Sequence, residues 1–399
     1  MANKGDGTLA WLKERNRERV IGALREQGRT SQADIARVTG LSRTTVSKLV
    51  AELKVSGLVG ELEVSSTDPR GVHGGRPAVQ LTLRDTSKAV VGIDFGHSHV
   101  QVAVANLAHN VLAERIRYLN VNHQATEALD ASVEMVDEVL AQVGFGRGCI
   151  IGAGIGIPGP VDRVRGTAGS ASILPGWVGL RIGVEMERRL GLPVEIENDA
   201  NLGALAELTW GAGRDCSTFA YLKAATGIGA GIVIDGKLLR GASGTAGEIG
   251  HTTLDQSGAI CYCGNRGCLE TVASGRAIVE QVGRSNGETL TLAQVISLAD
   301  DGDMRCRRAI ADAGTEIGVA AAGLCNLINP ERVIIGGLLS RAGELLLEPI
   351  RESIRRYAVL AAAERVEVVS AVFVERAELL GSLALALTGS SAALASRPD

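Results

Sequence analysis

The sequence Glu-Ile-Gly-His at residues 248–251 and the sequence Cys-Tyr-Cys-Gly-Asn-Arg-Gly-Cys-Leu-Glu at residues 261–270 form the most informative stretch of the chain. A lone Cys is usually a small buried hydrophobic residue. Three Cys within eight residues, preceded by a His at loop distance, are instead typical of a metal site. One imidazole and three thiolates are the ligand set of a closed tetrahedral zinc site. The pattern therefore predicts bound Zn²⁺, with the ligands His251, Cys261, Cys263 and Cys268.

The length and composition of the chain limit the class of protein. With 399 residues, 45% of them hydrophobic, two or three domains with ordinary cores are expected. No run of about 18 apolar residues occurs, and the charged N-terminus lacks the apolar segment of a signal peptide. Of the seven Cys, the four outside the cluster are scattered singly, which indicates a reducing compartment rather than a disulfide framework. We expect a cytoplasmic protein with no membrane partner.

Charge is distributed unevenly along the chain. Residues 1–84 contain 14 Lys and Arg against 9 Asp and Glu, a net charge of +5, and the remaining 315 residues carry −9. A basic head on an acidic body indicates that the head binds a polyanion and the body does not.

The basic head, residues 1–84, has the pattern of three short helices followed by a hairpin. Ser31 is suited to cap the second helix, and Gly40 is suited to end it. After Gly57 the apolar period changes to two, as in β-strands. The apolar positions predicted to face inward in the helices are Val20, Ile21 and Leu24, then Ile35, Ala36 and Val38, and finally Val46, Leu49, Val50 and Leu53.

This order of elements is the plan of a winged helix-turn-helix, in which the third helix enters the major groove of DNA. That helix turns Arg43, Thr44, Ser47 and Lys48 outward together, and Arg76 lies at the predicted wing tip. A small helical interaction module with a solvated polar face is the alternative. Hydroxyls and basic side chains at the start of the third helix favour contacts to phosphates and base edges of double-stranded DNA.

Residues 85–88 have the composition of a linker, and residues 89–388 read as an α/β body. Strands are followed by acidic or glycine-rich turns, as at Asp94 and at residues 225–231. Such a glycine turn is by itself compatible with an ordinary hairpin as well as a phosphate-binding loop. Asp199 lies where a strand leads into a helix, so it is a helix cap, a carboxylate for a ligand hydroxyl, or both. Residues 389–399 are expected to form a disordered tail.

The body resembles the ROK family (repressors, open reading frames and sugar kinases), and the whole chain resembles its transcriptional-regulator branch. The resemblance rests on residues 247–251 and 261–270, supported by Glu-Asn-Asp-Ala-Asn at 197–201 and Thr-Gly-Ile-Gly at 226–229. It implies an α/β fold with a winged helix-turn-helix in front of two lobes of the actin-like ATPase type. The first lobe would comprise residues 89–200 with the helix 376–388, and the second lobe, with the zinc loop, residues 201–375.

The resemblance also implies a sugar site. The residues implied to bind sugar hydroxyls are Asn198, Asp199, Glu248, His251 and Glu270. His251 belongs to both the sugar set and the zinc set, because one ring nitrogen can bind the metal while the other meets a hydroxyl.

In the kinases of the family, the aspartate at position 199 accepts the proton of the attacking hydroxyl, and glycine loops hold ATP with Mg²⁺. This chain departs from the kinase pattern at His97, His99, Ala225 and Leu338, and Ile173 replaces an Asn common near the sugar. A second Gly would let backbone N–H groups approach a phosphate, whereas His97 places an imidazole there. The nucleotide loops are therefore interpreted as vestigial at Asp94, Gly96, Thr226, Gly227, Gly229, Gly336 and Gly337.

These observations predict a sugar-responsive transcriptional regulator, acting as a repressor of carbohydrate metabolism genes. As a homodimer or homotetramer it would bind an imperfect palindrome. The alternative is an active ATP-dependent sugar kinase of the glucokinase type, with Asp199 as the catalytic base. An interaction scaffold explains neither the acidic residues nor the charge distribution. The identity of the sugar or sugar derivative stays open, because these side chains read hydroxyls that many sugars share.

Overall fold

The computed structural model describes residues 6–55, 58–62, 79–83, 88–162, 166–168, 173–286 and 289–395. Arg76 and residues 85–87 of the expected linker lie outside these ranges. No helix in the part of the chain that is described is long and apolar enough to cross a membrane.

The head contains three helices and a two-stranded wing. Its elements are α1 (Asp6–Gln27), α2 (Gln32–Thr39), α3 (Arg43–Val55), β1 (Val59–Leu62) and β2 (Gln80–Leu83). Strands β1 and β2 pair antiparallel. The Ser31 hydroxyl accepts the N–H of Asp34 at the start of α2, and Gly40 ends that helix with φ of 65°. The predicted winged helix-turn-helix plan is therefore confirmed.

The core of the head contains the predicted apolar residues with one exception. Val38 is 50% exposed, whereas Thr39 is buried and donates its hydroxyl to the carbonyl of Ile35. Ile35, Ala36 and Thr39 lie on one stripe of α2, and Val38 falls about 100° away from its centre. The assignment of Val38 to the inner face was wrong, because a polar residue completes the stripe.

The first lobe is built on a five-stranded sheet with the order β5-β4-β3-β6-β9. Its elements are β3 (Ala89–Phe95), β4 (His99–Asn106), β5 (Val111–Tyr118), α4 (Ala125–Gln142), β6 (Ile150–Ile157), β7 (Val161–Asp162), β8 (Thr167–Ala168), α5 (Ile182–Leu190) and β9 (Val194–Asn198). Strand β3 pairs antiparallel with β4 and parallel with β6. Helix α6 (Asp199–Thr209) follows directly and leads into the second lobe.

The second lobe repeats this strand order in a sheet arranged β12-β11-β10-β13-β14. Its elements are β10 (Phe219–Ala224), β11 (Ile228–Ile234), β12 (Lys237–Leu239), α7 (Glu270–Ala273), α8 (Gly275–Asn286), α9 (Leu292–Asp300), α10 (Met304–Ile328), β13 (Arg332–Gly336), α11 (Glu344–Tyr357), α12 (Leu360–Ala363) and β14 (Glu367–Ser370). In both sheets a three-stranded antiparallel meander continues into two parallel strands. The repeated topology is that of the predicted two-lobed actin-like fold.

Helix α13 (Ala377–Ala395) returns to pack against β3, β6 and α6. Small residues allow this close approach, since a Cβ at Gly154 would lie 2.0 Å from the carbonyl oxygen of Ser382. The helix continues to Ala395 and so includes residues 389–395 of the expected tail. Helix elongation is cooperative, and the Ala-rich end contains no Pro before Pro398 to stop it. Residues 396–399 lie outside the described part.

Candidate functional site

All five residues expected to bind a sugar line one cleft of about 380 Å³. Asn198 and Asp199 come from the junction of β9 and α6, whereas Glu248, His251 and Glu270 come from the loops of the second lobe. Residues separated by up to 72 positions in the sequence therefore converge on one space.

Asn198 is the residue that caps helix α6. Its side-chain oxygen accepts the N–H groups of Ala200 at 2.8 Å and Asn201 at 3.2 Å, and its Nδ2 donates to the carbonyl of Gly159. Because Asn198 satisfies the exposed N–H groups of the first turn, Asp199 is not needed as the cap. Asp199 itself also contributes at the start of the helix, since its Oδ1 accepts the N–H of Ala200 at 2.8 Å, and the residue lines the cleft as well.

Asp199 has a partner that the sequence analysis missed. Its Oδ2 lies 2.8 Å from Nζ of Lys223, which also lies 2.6 Å from Oε1 of Glu378. Burial alone would lower the pKa of Lys223, but the two carboxylates raise it well above its usual value. A signal existed in the sequence, since Lys223 is the one charged residue of the buried strand β10 and a buried cation requires a partner.

Two further carboxylates form the opposite wall of the cleft. Burial, together with the charges of Asp199 and Glu270, raises the pKa of Glu248 to about 6. Glu270 begins α7, is 6% exposed, and accepts a hydrogen bond from Arg276 at 3.1 Å. Gly247 positions this wall, because its φ is 96° and a Cβ there would lie 2.0 Å from the carbonyl oxygen of Ala230, so that no side chain fits. These acceptors suit the hydroxyl groups of a polar ligand.

The four predicted metal ligands lie together, with their ligand atoms within 4.8 Å of one another. Sγ of Cys263 and Sγ of Cys268 are 3.7 Å apart, and Sγ of Cys261 lies 3.6 Å from Nδ1 of His251. A tetrahedral ion with Zn–S bonds of about 2.3 Å and a Zn–N bond of about 2.0 Å requires S···S separations of roughly 3.8 Å and S···N separations of roughly 3.5 Å. The residues therefore fit a tetrahedral zinc ion.

His251 presents its two ring nitrogens to different surroundings. Nδ1 faces Cys261 in the cysteine cluster, whereas Nε2 lies 3.3 Å from the hydroxyl of Tyr262 and 3.9 Å from Oε2 of Glu248. One nitrogen is thus available to a metal while the other faces the cleft. Tyr262 and Arg276 also line the cleft and were missed, since their positions depend on how the cysteine loop and α8 pack.

The space beside the turn between β3 and β4 is filled by the imidazole of His99. A Cβ at Gly96 would lie 2.3 Å from the ring of His99, so the imidazole covers this glycine. Nε2 of His99 lies 3.5 Å from Oδ2 of the buried Asp94. His97 points the other way, lines the cleft, and places Nδ1 2.8 Å from Oδ1 of Asn122. The space beside Asp94 is occupied by a side chain of the protein.

The other glycine loops divide into two groups. Ala225, Thr226, Gly227 and Gly229 line the cleft, together with Ile173. Gly336 and Gly337 instead allow close packing inside the second lobe. A Cβ would lie 2.2 Å from the Tyr221 hydroxyl at Gly336 and 2.4 Å from the Ala224 carbonyl oxygen at Gly337. Leu338 packs against the apolar core of the second lobe.

Four of the five residues predicted to contact DNA lie on one exposed face, and the fifth, Arg76, is outside the described residues. Helix α3 buries Val46, Leu49, Val50 and Leu53. Its remaining surface exposes the four polar residues named for DNA contacts, which are Arg43, Thr44, Ser47 and Lys48. The hydroxyl of Ser42 accepts the N–H of Thr45 and begins the helix. A polar, basic helix face beside a wing is therefore available to a polyanion.

Comparison with known proteins matches both parts of the chain. The sequence pattern of the ROK family matches residues 90–389, and that of the MarR family matches residues 17–71. The xylose repressor of Caldicellulosiruptor bescii is 32% identical over 397 residues, which cover 96% of this chain and 98% of the relative.

Two crystal structures extend this comparison. A ROK family transcriptional regulator, a homologue of the Escherichia coli Mlc protein, has a TM-score of 0.76 and 28% identity and covers 96% of this chain and 98% of its own. A ROK family glucokinase from Streptomyces griseus, in complex with glucose and AMPPNP, has a TM-score of 0.67 and 30% identity. The glucokinase match covers 75% of this chain and 100% of that protein, so the regulator shares more of this chain than the enzyme does.

Proposed function

This chain belongs to the ROK family, and we propose that it is a DNA-binding transcriptional regulator, acting as a repressor of carbohydrate metabolism genes, that responds to a sugar. The observation that carries this proposal is the combination of a winged helix-turn-helix and an acid-lined cleft in one chain. A protein named xylose repressor matches both parts over 96% of the chain.

The ligand of the cleft is a sugar or a sugar derivative. Asn198, Asp199, Glu248 and Glu270 offer acceptors for several hydroxyls, and Nε2 of His251 adds a further polar contact. Charged acceptors form stronger hydrogen bonds to hydroxyls than neutral ones do. Ring hydroxyls spaced around a pyranose match a site whose acceptors surround a small cleft.

The cleft acts as a receptor rather than as a kinase site. Phosphoryl transfer depends on loops that hold the nucleotide and its metal ion, and His99 fills the loop beside Asp94. Asp199, which would have to accept a proton, is already paired with the ammonium of Lys223. Both features disfavour turnover while leaving hydroxyl binding possible.

Zinc serves structure in this proposal. His251, Cys261, Cys263 and Cys268 would hold Zn²⁺, and a closed site with four protein ligands leaves no position for substrate. When bound, the ion supplies a fixed centre for the loop between Glu248 and Glu270. The ring of His251 would then keep Nε2 directed towards the cleft.

On DNA, a dimer would place two copies of α3 in successive major grooves, with half-sites about 34 Å apart. Arg43, Thr44, Ser47 and Lys48 would contact phosphates and base edges, and Arg76 on the wing would reach an adjacent groove. A sugar that binds the weakly DNA-binding state better would release the DNA, with a coupling of about 1–3 kcal/mol.

Footprinting on the DNA upstream of the chain's own gene tests the DNA part of this proposal. The expected result is a protected imperfect palindrome whose affinity falls as salt rises, because phosphate contacts release counterions. The proposal would be contradicted if no DNA fragment shows salt-dependent protection. For the ligand, calorimetry with hexoses, pentoses and amino sugars should show binding without ATP, and ADP release that Asp199→Asn abolishes would establish a kinase instead.

A further inference from the structure

Lys223 joins three elements of the fold at the bottom of the cleft. It lies on β10, the central strand of the second sheet, and its Nζ contacts Oδ2 of Asp199 at 2.8 Å and Oε1 of Glu378 at 2.6 Å. Asp199 begins α6, and Glu378 lies in the first turn of α13, which packs on the first sheet. The side chains are 19%, 20% and 12% exposed for Lys223, Asp199 and Glu378.

These contacts determine how the Asp199 carboxylate is presented. Oδ2 accepts a hydrogen bond from the ammonium of Lys223, and Oδ1 accepts the N–H of Ala200 at 2.8 Å. A carboxylate oxygen has two acceptor positions, so each oxygen keeps one for a ligand while the group cannot rotate freely.

We propose that Lys223 is a positioning residue of the sugar site, which holds the Asp199 carboxylate in the orientation that accepts a sugar hydroxyl and supplies, within the chain, the cation paired with it. The inference rests on the proposed sugar-receptor function. Its consequence is that sugar binding needs neither a nucleotide nor Mg²⁺, because the positive charge beside Asp199 belongs to the protein.

A purely structural ion pair is the competing explanation. Lys223 could serve only to neutralise Glu378, and breaking a buried pair by removing one partner is strongly destabilising. The two explanations differ in what removal of both Lys223 and Glu378 does. If neutralisation is the whole role, the double variant regains the sugar affinity of the wild type, whereas a positioning role leaves its affinity low.

The test is calorimetric titration of D-xylose and D-glucose into Lys223→Met, Glu378→Gln and the double variant, with thermal melting of each. Lys237→Met is the matched control, because Lys237 is an exposed lysine on β12 of the same sheet. Loss of a charge-assisted contact to the ligand-binding group predicts about tenfold weaker sugar binding, or more, for Lys223→Met. Glu378→Gln and Lys237→Met should bind within about threefold of the wild type, since the Lys223–Asp199 contact is intact.

The double variant decides between the explanations, and it also carries the test if Lys223→Met does not fold. It should melt at a higher temperature than Lys223→Met and still bind sugar about tenfold more weakly than the wild type. Wild-type sugar affinity in the double variant, or in Lys223→Met, would overturn the positioning role of Lys223 but not the proposed receptor function. If the wild type binds no sugar of a wider panel of pentoses, hexoses and amino sugars, the proposed receptor function fails and this inference fails with it.

Discussion

The cleft and the neighbouring turn after β3 have different structures although they belong to the same repeated fold. In the cleft, Asn198, Asp199, Glu248 and Glu270 direct polar atoms towards a shared space, and we call this set the hydroxyl side. Next to it, in the turn after β3, which we call the closed side, the ring of His99 covers Gly96 and faces Asp94. Under the proposed function, the cleft keeps acceptors for hydroxyls while the neighbouring turn has no open space for a phosphate.

The comparison also explains where positive charge is found. On the hydroxyl side, the ammonium of Lys223 pairs with Asp199 and Glu378, and the guanidinium of Arg276 pairs with Glu270. Each of these cations already has a carboxylate partner, which makes it a poor binding site for an incoming phosphate. In the proposed receptor, sugar binding would therefore occur without phosphoryl transfer.

Removal of a zinc ligand should have the largest effect on the hydroxyl side. Cys263→Ser should abolish tight zinc retention and weaken sugar binding by about 100-fold or more, because the loop that carries His251, Glu248 and Glu270 loses its fixed centre. Metal analysis and calorimetry measure the two effects. Cys149→Ser, outside the cluster, is the control, and loss of DNA affinity with sugar affinity intact would contradict the assignment of the cluster to the sugar side.

Asp199→Asn should have the next largest effect. Loss of a charged acceptor costs about 1.5–3 kcal/mol, or roughly 10- to 150-fold in the dissociation constant for sugar. The exposed Asp300 on α9 provides the control variant Asp300→Asn. An Asp199→Asn protein that binds sugar as tightly as the control would remove Asp199 from the hydroxyl side.

Variants of the head should leave both sides of the cleft unchanged. Arg43→Ala and Lys48→Ala should each weaken DNA binding by about tenfold and reduce the salt dependence by roughly one counterion. Sugar affinity measured by calorimetry should stay at the wild-type value. Lys54→Ala is the control, since Lys54 lies in the last turn of the same helix and pairs with Glu61. Equal losses in all three variants would argue against the exposed face at the start of α3.

The smallest effect is expected on the closed side. His99→Ala removes the ring that covers Gly96, but the hydroxyl side keeps its acceptors, so sugar affinity should stay within about twofold of the wild type. ATP turnover should not appear, because Asp199 stays paired with Lys223. A loss of sugar affinity equal to that of Asp199→Asn would show that the two sides are not independent.

Local patterns made much of this structure predictable. The helix ends at Ser31 and Gly40, the buried face of α3, and the cluster of His251 with three Cys depend on residues close in sequence. Their geometry follows from helical periodicity, capping and the spacing of metal ligands. The repeated strand order also agreed with the expected two-lobed fold.

Features that depend on distant parts of the chain were not predictable. The contact of Lys223 with Glu378 requires both the second sheet and the C-terminal helix to be in place. The capping of α6 by Asn198 involves the distant Gly159 carbonyl, which accepts a hydrogen bond from the Asn198 side chain. From the sequence, His99 was only a departure from the kinase pattern, whereas its ring fills the turn because β3 and β4 pair directly.

The most direct test of a sugar receptor that controls DNA binding is the fluorescence anisotropy of labelled upstream DNA during titration with sugars. We expect one sugar of the panel to lower DNA affinity by about 5- to 150-fold without ATP. Adding ATP and Mg²⁺ should neither alter this loss of DNA affinity nor convert the sugar into its phosphate. DNA affinity that no sugar changes, or a response that requires ATP and produces sugar phosphate, would contradict the account.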